Sequence, residues 1–388
     1  MKSRLRRWRD ALASMELTLA ALGLLTVLVV FCTLDQVNLG THGAVNKYFR
    51  SFLLYAVIPG TGWAIPVFPA GGFTGLLLVV NLVSALAYRI PLRWSKAGLW
   101  FIHVGLILLV AGEVVTGAFS RETHMSLDEG GTSNFSESLH EDELVIVDRS
   151  DPAADQVFSI PAAALADGKE LRDPAWPFSL RVKAAFPSAE AGPRPLGESL
   201  PPSLADQGLG AGLILRPAPE GTNEASQPAA FVEVEAAGAR LGTWLLWSGL
   251  AAEQGFSVAG KPYSMVLRKR RRYYPFSLTL KDFTHEVYPG TEIPKNFSSL
   301  VRLANPGSGE ERDVLIYMNH PLRYMGQTFY QASYGKGDTL SILQVVQNPG
   351  WLLPYISFLL VCAGLGVHFV LELLKFKPAA AQSAEEGR

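Results

Sequence analysis

The sequence predicts a membrane protein with four transmembrane α-helices and a large extracytoplasmic, mainly-β domain, a sandwich or partly open barrel, set between the third helix and the fourth. Three observations predict it. Apolar residues gather into four runs close to the roughly 20 residues that a bilayer core requires. Lys and Arg are concentrated beside those runs on alternate connections. Between the third run and the fourth lie many short stretches of alternating apolar and polar residues separated by Pro and Gly, the period of half-buried strands. The near-balanced charge, 34 Lys+Arg against 35 Asp+Glu, is an average over these dissimilar parts and decides little by itself.

The four apolar runs are residues 17–34, 70–88, 97–118 and 351–373. Short cytoplasmic segments are enriched in Lys and Arg, and the cations agree on one orientation. The N-terminal stretch MKSRLRRWR, the connection holding Arg89, Arg93 and Lys96, and the tail holding Lys375 and Lys377 all fall on the cytoplasmic side. That reading gives a cytoplasmic N-terminus (1–16), three helices within 17–118, an extracytoplasmic β domain (119–350), a fourth helix (351–373) and a cytoplasmic tail (374–388). The first run has the basic lead and apolar middle of a secretory signal. Its length, and the lack of a small-residue cleavage site after it, predict an uncleaved anchor. Both cysteines, Cys32 and Cys362, fall inside apolar runs, so the β domain is expected to fold without disulfides. With no CxxC and no CxxCH, the chain has neither a dithiol centre nor a haem-attachment site of its own.

Residues 35–69 are aromatic and apolar but interrupted by Pro59, Gly60, Gly62 and Pro66, and are expected to lie along the outer interface. In the β domain the stretch FSLTLKDF puts Phe276, Leu278 and Leu280 on one face and Ser277, Thr279 and Lys281 on the other. Residues 187–230 shift to Pro, Gly, Ala, Ser and Glu and read as a flexible insertion. The five consecutive cations from Arg268 to Arg272 read as a solvated turn, or as a surface for haem propionates, anionic lipid or an acidic partner. On a chain facing away from the cytoplasm they do not suggest nucleic acid.

Two histidines lie inside apolar runs, His103 in the third and His368 in the fourth. Polar side chains in hydrocarbon are costly and mark functional positions by default. Each lies five or six residues from the cytoplasmic end of its run, so both sit roughly 8–10 Å below the same surface. Neutral imidazole is a good axial ligand for haem iron. Polar packing inside the bundle and proton handling fit the same pair. Gly364, one turn before His368, leaves room beside it. Gly98, Gly105 and Gly112 recur every seven residues, a seam that admits a neighbouring helix. His103 points about 200° from that seam, toward a different neighbour. Glu113, nearer the outer surface, reads as an interface residue. His42, His124, His140, His285 and His320 show no metal-ligand spacing.

The stretches YYPFSLTLKDFTHEVYPGTEIPKNFSSLVRL, IYMNHPLRYMGQTFYQASY and SILQVVQNPGWLLPYISFLLVCAGLGVHF, with IHVGLILLVAGE in the third run, resemble the ResB (CcsB-like) family, a membrane subunit of System II cytochrome c biogenesis. The resemblance implies a bacterial cytoplasmic (inner) membrane protein that handles haem b transiently. Its implied partners are a CcsA/ResC-type membrane protein, apocytochrome c and a thioredoxin-like thiol reductant. It implies an accessory subunit of a haem lyase complex rather than a free-standing enzyme, and it maps a haem ligand onto His103 with His368 as a second. The other readings are a b-type electron-transfer subunit holding a permanent haem between His103 and His368, and a purely structural membrane-anchored β module. The motif MNHPLRYMGQTFYQ also reads as a plain hairpin with Leu322, Tyr324, Phe329 and Tyr330 in a core and turns at Pro321 and Gly326.

Topology is directly testable. Reporter fusions at Ser150 and Asp338 are expected to score outside the cytoplasm and one at Arg93 inside; a cytoplasmic signal at Ser150 overturns the orientation.

Overall fold

The computed structural model describes residues 2–152, 154–194, 203–218, 227–291, 294–335 and 337–375. The chain divides into two compact units, Met1–Arg121 with Gln347–Arg388, and Glu122–Val346.

The first unit is helical. Helix α1 (Lys2–Leu12) is basic, and α2 (Met15–Val45) starts where Ser14 Oγ accepts from the Leu17 amide at 3.2 Å. Helices α3 (Gly71–Tyr88), α4 (Ala97–Phe119) and α5 (Leu353–Lys375) complete the set. Among the described residues, four stretches are long and apolar enough to cross a bilayer: Met15–Arg50, Gly71–Tyr88, Trp94–Phe119 and Leu353–Lys375. The break between α1 and α2 leaves backbone carbonyls exposed, and Asn81 of α3 satisfies them. Its Nδ2 donates to Leu12 O (2.7 Å) and Ser14 O (2.9 Å), while its Oδ1 accepts from Thr18 Oγ1 at 2.7 Å. Bonds of this kind hold helices together where no water is present to compete.

Residues 35–69 differ from the expected interfacial segment. The first helix continues to Val45, bending at Gly40 (φ 65°), and passes into a wide turn over Asn46–Arg50. Strands β1 (Leu53–Val57) and β2 (Ala64–Pro69) then form a hairpin. The helix persists because Asp35 is neutralised: Lys47 Nζ donates to it at 2.6 Å and Tyr48 Oη at 2.9 Å. The glycines that interrupt the apolar run serve the hairpin turn, where Gly60 and Gly62 take positive φ.

The second unit is β. In chain order its strands are β3 (Arg121–Asp128), β4 (Thr132–Asp148), β5 (Gln156–Pro161), β6 (Glu170–Leu171), β7 (Phe178–Phe186), β8 (Ala189–Pro193), β9 (Leu213–Pro217), β10 (Ala229–Ala236) and β11 (Ala239–Trp247). They continue with β12 (Gln254–Val258), β13 (Lys261–Val287), β14 (Pro294–Asn305), β15 (Glu310–Tyr317), β16 (Leu322–Tyr324), β17 (Gln327–Gly335) and β18 (Leu340–Gln347). A large sheet runs β15-β14-β13-β4-β3-β18-β17-β16, with β12 beside β13 and β5 beside β4; a second sheet runs β11-β10-β7-β6. The large sheet curls until its edges nearly meet. Side chains bridge the gap: Ser299 Oγ donates to Gln331 Oε1 (2.6 Å), Asn305 Nδ2 to Tyr324 Oη (2.9 Å) and Tyr324 Oη to Glu310 Oε2 (2.8 Å). The last bond, with the Arg312 guanidinium beside it, holds the Glu310 carboxyl below its usual range.

Two cores result. Leu144, Ile146, Leu180, Val232, Met265 and Leu267 fill one, between the sheets. Phe276, Leu278, Leu280, Val301, Phe329 and Val345 fill the other, inside the curled sheet. Strand β13 is long enough, at 27 residues, to serve both. The expected hairpin of MNHPLRYMGQTFYQ is present as β16 and β17, with Leu322 paired to Phe329 and both buried. Tyr330 is a correction: adjacent residues of a strand face opposite sides, so with Phe329 inside it lies outward and exposed.

The cationic run is not a turn. Arg268–Arg272 lies within β13 between the two cores, beside the acidic stretch of β4. Arg268 Nε contacts Glu143 (3.2 Å), Lys269 contacts Asp142 (3.0 Å), Arg270 contacts Glu141 (2.9 Å) and Arg271 contacts Glu137 (2.8 Å). Arg272 is engaged as well. Arg271 also lies over the Phe135 ring, 4.1 Å from its centroid. The charge is taken up within the sheet and is not displayed as a positive surface.

Within residues 187–230, expected as a flexible insertion, β8 pairs with β9 and Ala189 and Ala205 join Phe231 and Leu245 in a third apolar cluster. Residues 195–202 and 219–226 of that stretch lie outside the described residues.

The ladder makes unequal predictions. The Arg268–Glu143 side chains are only 10% and 5% exposed, against 54% and 62% for Arg270–Glu141. Arg268→Ala strands a buried carboxylate and is expected to cost about 3–5 kcal/mol in denaturant unfolding. Arg270→Ala is expected to cost under about 1 kcal/mol. Equal effects contradict the burial argument.

Candidate functional site

The site is assembled on α4 and α5, which pack antiparallel along the glycine seam. A methyl group added at Gly98 would lie 2.5 Å from the His368 amide nitrogen and 2.6 Å from Gly364 O. At Gly105 it would lie 2.8 Å from Val361 Cγ2 and 2.9 Å from Ser357 O, and at Gly112 3.0 Å from Leu353 Cβ. Gly364 is equally tight, 2.8 Å from Gly98 O and from the Ile102 amide nitrogen. The helices meet backbone to backbone, as small residues allow where lipid supplies no hydrophobic drive. Ser357, buried in this contact, returns its hydroxyl to Leu353 O at 2.7 Å.

This packing fixes where each histidine stands. His368 has its main chain against Gly98, at the end of α5 where Lys375 Nζ donates to Glu372 Oε1 at 2.7 Å. His103 lies five residues along α4 from Gly98, about 7.5 Å of rise and about 140° around the axis. It is therefore on a side of α4 turned away from α5, and the seam gives the two histidines different neighbours and different depths. His103 is half-buried, and its Nδ1 lies 2.8 Å from Leu99 O, one turn back. A carbonyl only accepts, so Nδ1 carries a proton, and in the neutral ring Nε2 keeps the lone pair. That is the tautomer a metal ligand needs, held by the second contact that ligating imidazoles ordinarily make. The residues present fit an axial ligand for haem iron at Nε2.

The indole of Trp100 is a feature that sequence reasoning passed over. Its Nε1 is buried and has no hydrogen-bond partner among the described residues. The signal was in the string WFIHVG, where Trp100 and His103 stand at i and i+3, neighbours on a helix surface. Glu113 is exposed at the far end of α4.

Among the described residues no group of three or more His, Cys, Asp or Glu is placed to hold a bare metal ion. In the β domain, His124 is half-buried with Nδ1 unpartnered; burial lowers its pKa against the opposing pull of Glu122. His285 contacts Asp338 through Nδ1 (3.1 Å) and packs on Tyr334 at a centroid distance of 4.3 Å. His320 stacks on Tyr317 at 4.0 Å. Cys32 and Cys362 are free thiols.

Comparison with known proteins now bears on this arrangement. Residues 249–343, from just before β12 into β18, match the ResB-like family. The ResB-like segment supplies all the aromatic and aliphatic side chains of the curled sheet's core except those from β3 and the end of β18. Protein NrfI of Wolinella succinogenes is 37% identical over 91 residues, 24% of this chain and 10% of that protein. Two proteins named cytochrome c biogenesis protein CcsB, from Synechococcus strains CC9311 and WH7803, are 39% and 37% identical over 82 residues, 21% of this chain and 18% of each of theirs. The chain thus matches less than a fifth of the length of each relative.

The seam is testable. Gly98→Val drives a branched side chain into the His368 backbone and is expected to lower the yield of folded protein in detergent. Gly117→Ala, with nothing within 4 Å of the added carbon, is expected to leave it unchanged. Wild-type yield and melting for Gly98→Val contradict the packing.

Proposed function

We propose that this chain is a cytochrome c biogenesis factor that holds haem as cargo within the membrane through His103 Nε2, with a second haem-handling membrane subunit supplying the opposite ligand. The observation that carries the reading is the Leu99 O contact, which holds the His103 imidazole with its lone pair at Nε2. The ResB-like segment and the relatives named CcsB support the pathway.

The chain's own part is to bind and orient. Haem iron bound at Nε2 takes a strong neutral ligand that retains the cargo without adding charge to the hydrocarbon. The Leu99 contact orients the ring and, in the neutral imidazole, leaves the lone pair at Nε2. The seam turns His103 away from α5, so the complementary ligand comes from a partner of CcsA/ResC type rather than from His368. The β domain, facing the side opposite the basic flanks, receives apocytochrome c or the partner. Thioether formation belongs to the assembled complex, with the cysteines coming from the apocytochrome and a separate thiol reductant keeping them reduced. The reading of a permanent b-type haem between His103 and His368 has less support, because the seam gives the two residues different neighbours.

Co-purification with and without the partner, followed by an optical haem spectrum, tests this. His103→Ala is expected to accumulate normally, to lose bound haem and to fail in cytochrome c maturation, with added imidazole restoring part of both. His368→Ala is expected to keep the spectrum. Loss of haem in both variants points to a pair within the chain, and retention in His103→Ala overturns the proposal.

A further inference from the structure

The basic end of the helical unit carries exposed charge that the role of His103 does not use. Helix α1 holds Lys2, Arg4, Arg6, Arg7 and Arg9 against the single acid Asp10, and the connection from α3 to α4 holds Arg89, Arg93 and Lys96 with no acid. The two stretches are tied together. Asn81 of α3 donates to Leu12 O and Ser14 O at the end of α1, and the Arg9 guanidinium lies over the ring of Tyr88, the last residue of α3, 5.3 Å from its centroid. Three acids temper the charge: Asp10 is bonded to Arg9, Glu16 is within electrostatic reach of Arg89, and Glu372 within reach of Lys96. Arg4, Arg6, Arg7 and Arg93 are exposed and, among the described residues, pair with no acid. The cations Arg268–Arg271 of β13, by contrast, are met one by one by acids of β4.

Large apolar side chains interleave with these cations. Trp8, between Arg7 and Arg9, is 70% exposed, and Leu92 and Trp94, on either side of Arg93, are 81% and 91% exposed. Neither feature accounts for the other. An acidic protein surface would match the guanidinium groups and leave the indoles in water. A zwitterionic lipid would cover the indoles while its own cation opposes the guanidinium groups. A ligand with a net-anionic phosphate above an acyl body matches both, because arginine takes phosphate oxygens in pairs and tryptophan settles at the boundary of headgroup and chain.

We infer that α1 and the α3–α4 connection form a binding surface for anionic phospholipid, with Arg4, Arg6, Arg7 and Arg93 on the headgroups and Trp8, Leu92 and Trp94 at the top of the acyl chains. The break at Ser14 permits this. Its extended backbone separates α1 from the membrane-crossing helix α2, and Asn81 satisfies the carbonyls that the break frees. The surface is independent of the role proposed for His103.

The full-length chain is reconstituted in nanodiscs of equal phosphatidylcholine and phosphatidylglycerol, released in mild detergent, and its retained lipid identified by native mass spectrometry. The wild type is expected to retain phosphatidylglycerol over phosphatidylcholine by about tenfold, the preference falling as salt is raised. Arg4→Gln with Arg7→Gln is expected to lower that preference about fivefold or more, the scale of one surface cation, whereas Arg4→Lys with Arg7→Lys keeps most of it. Trp8→Ala is expected to reduce retention of both lipids without changing their ratio, and Arg270→Gln, in the β domain, to change neither. A wild type that retains the two lipids equally overturns the inference whether or not a variant folds. Displacement of phosphatidylglycerol by soluble glycerol phosphate at equal concentration also overturns it, being the mark of a plain anion site. So does a double Gln variant with wild-type lipid preference that no longer co-purifies with a membrane partner, the mark of a protein-binding surface.

Discussion

The backbone contact between α4 and α5 is the constraint on which the functional reading depends. At Gly98, Gly105 and Gly364 an added carbon would lie 2.5 to 2.8 Å from atoms of the facing helix, closer than side chains pack, and at Gly112 it would lie 3.0 Å from Leu353 Cβ. In water, apolar burial would provide the driving force. In lipid, close packing of small residues must do so. Because the seam uses one side of α4, the polar side chain of His103 lies on another side of that helix. A helix cannot offer one histidine to two neighbours, and here α5 already occupies the seam.

The β domain solves a different problem with a different device. Strands β4 and β13 run from one apolar core into the other, and the stretch between the cores carries charge of both signs. The ladder from Arg268–Glu143 to Arg271–Glu137 neutralises that stretch locally, and the register shift between Lys269 and Arg271 marks a bulge in the middle of it. Bulges increase local twist, which suits a strand that leaves one sheet packing and enters another. The inner pair is nearly sealed from solvent and the outer pairs are not. The ladder therefore acts more as a register device than as a uniform source of stability.

Much of this was legible in the sequence because the physics was local. The helix boundaries follow from apolar run length: residues 97–118 became Ala97–Phe119, and 70–88 became Gly71–Tyr88. The alternation of FSLTLKDF placed Phe276, Leu278 and Leu280 inside, where they are buried. The seam was legible as a seven-residue repeat, although which helix fills it required the tertiary fold. What failed had distant causes. The cations of β13 looked free because their acids lie more than 120 residues away along the chain. Residues 187–230 looked flexible because small residues are ambiguous in sequence, being used for freedom or for close approach. At Gly210 the reason is close approach, since an added carbon would lie 2.3 Å from Leu245 Cβ. The helix extends past the apolar run to Val45, where Lys47 and Tyr48 neutralise Asp35.

The central claim is that this chain contributes one axial ligand, His103, and its partner the other. The most direct measurement is electron–nuclear double resonance on the low-spin ferric haem of the complex, with ¹⁵N-histidine incorporated into this chain alone and the partner unlabelled. The account predicts hyperfine coupling to one labelled and one unlabelled imidazole nitrogen, with the labelled coupling absent in His103→Ala. Two labelled ligands, or none, would contradict it.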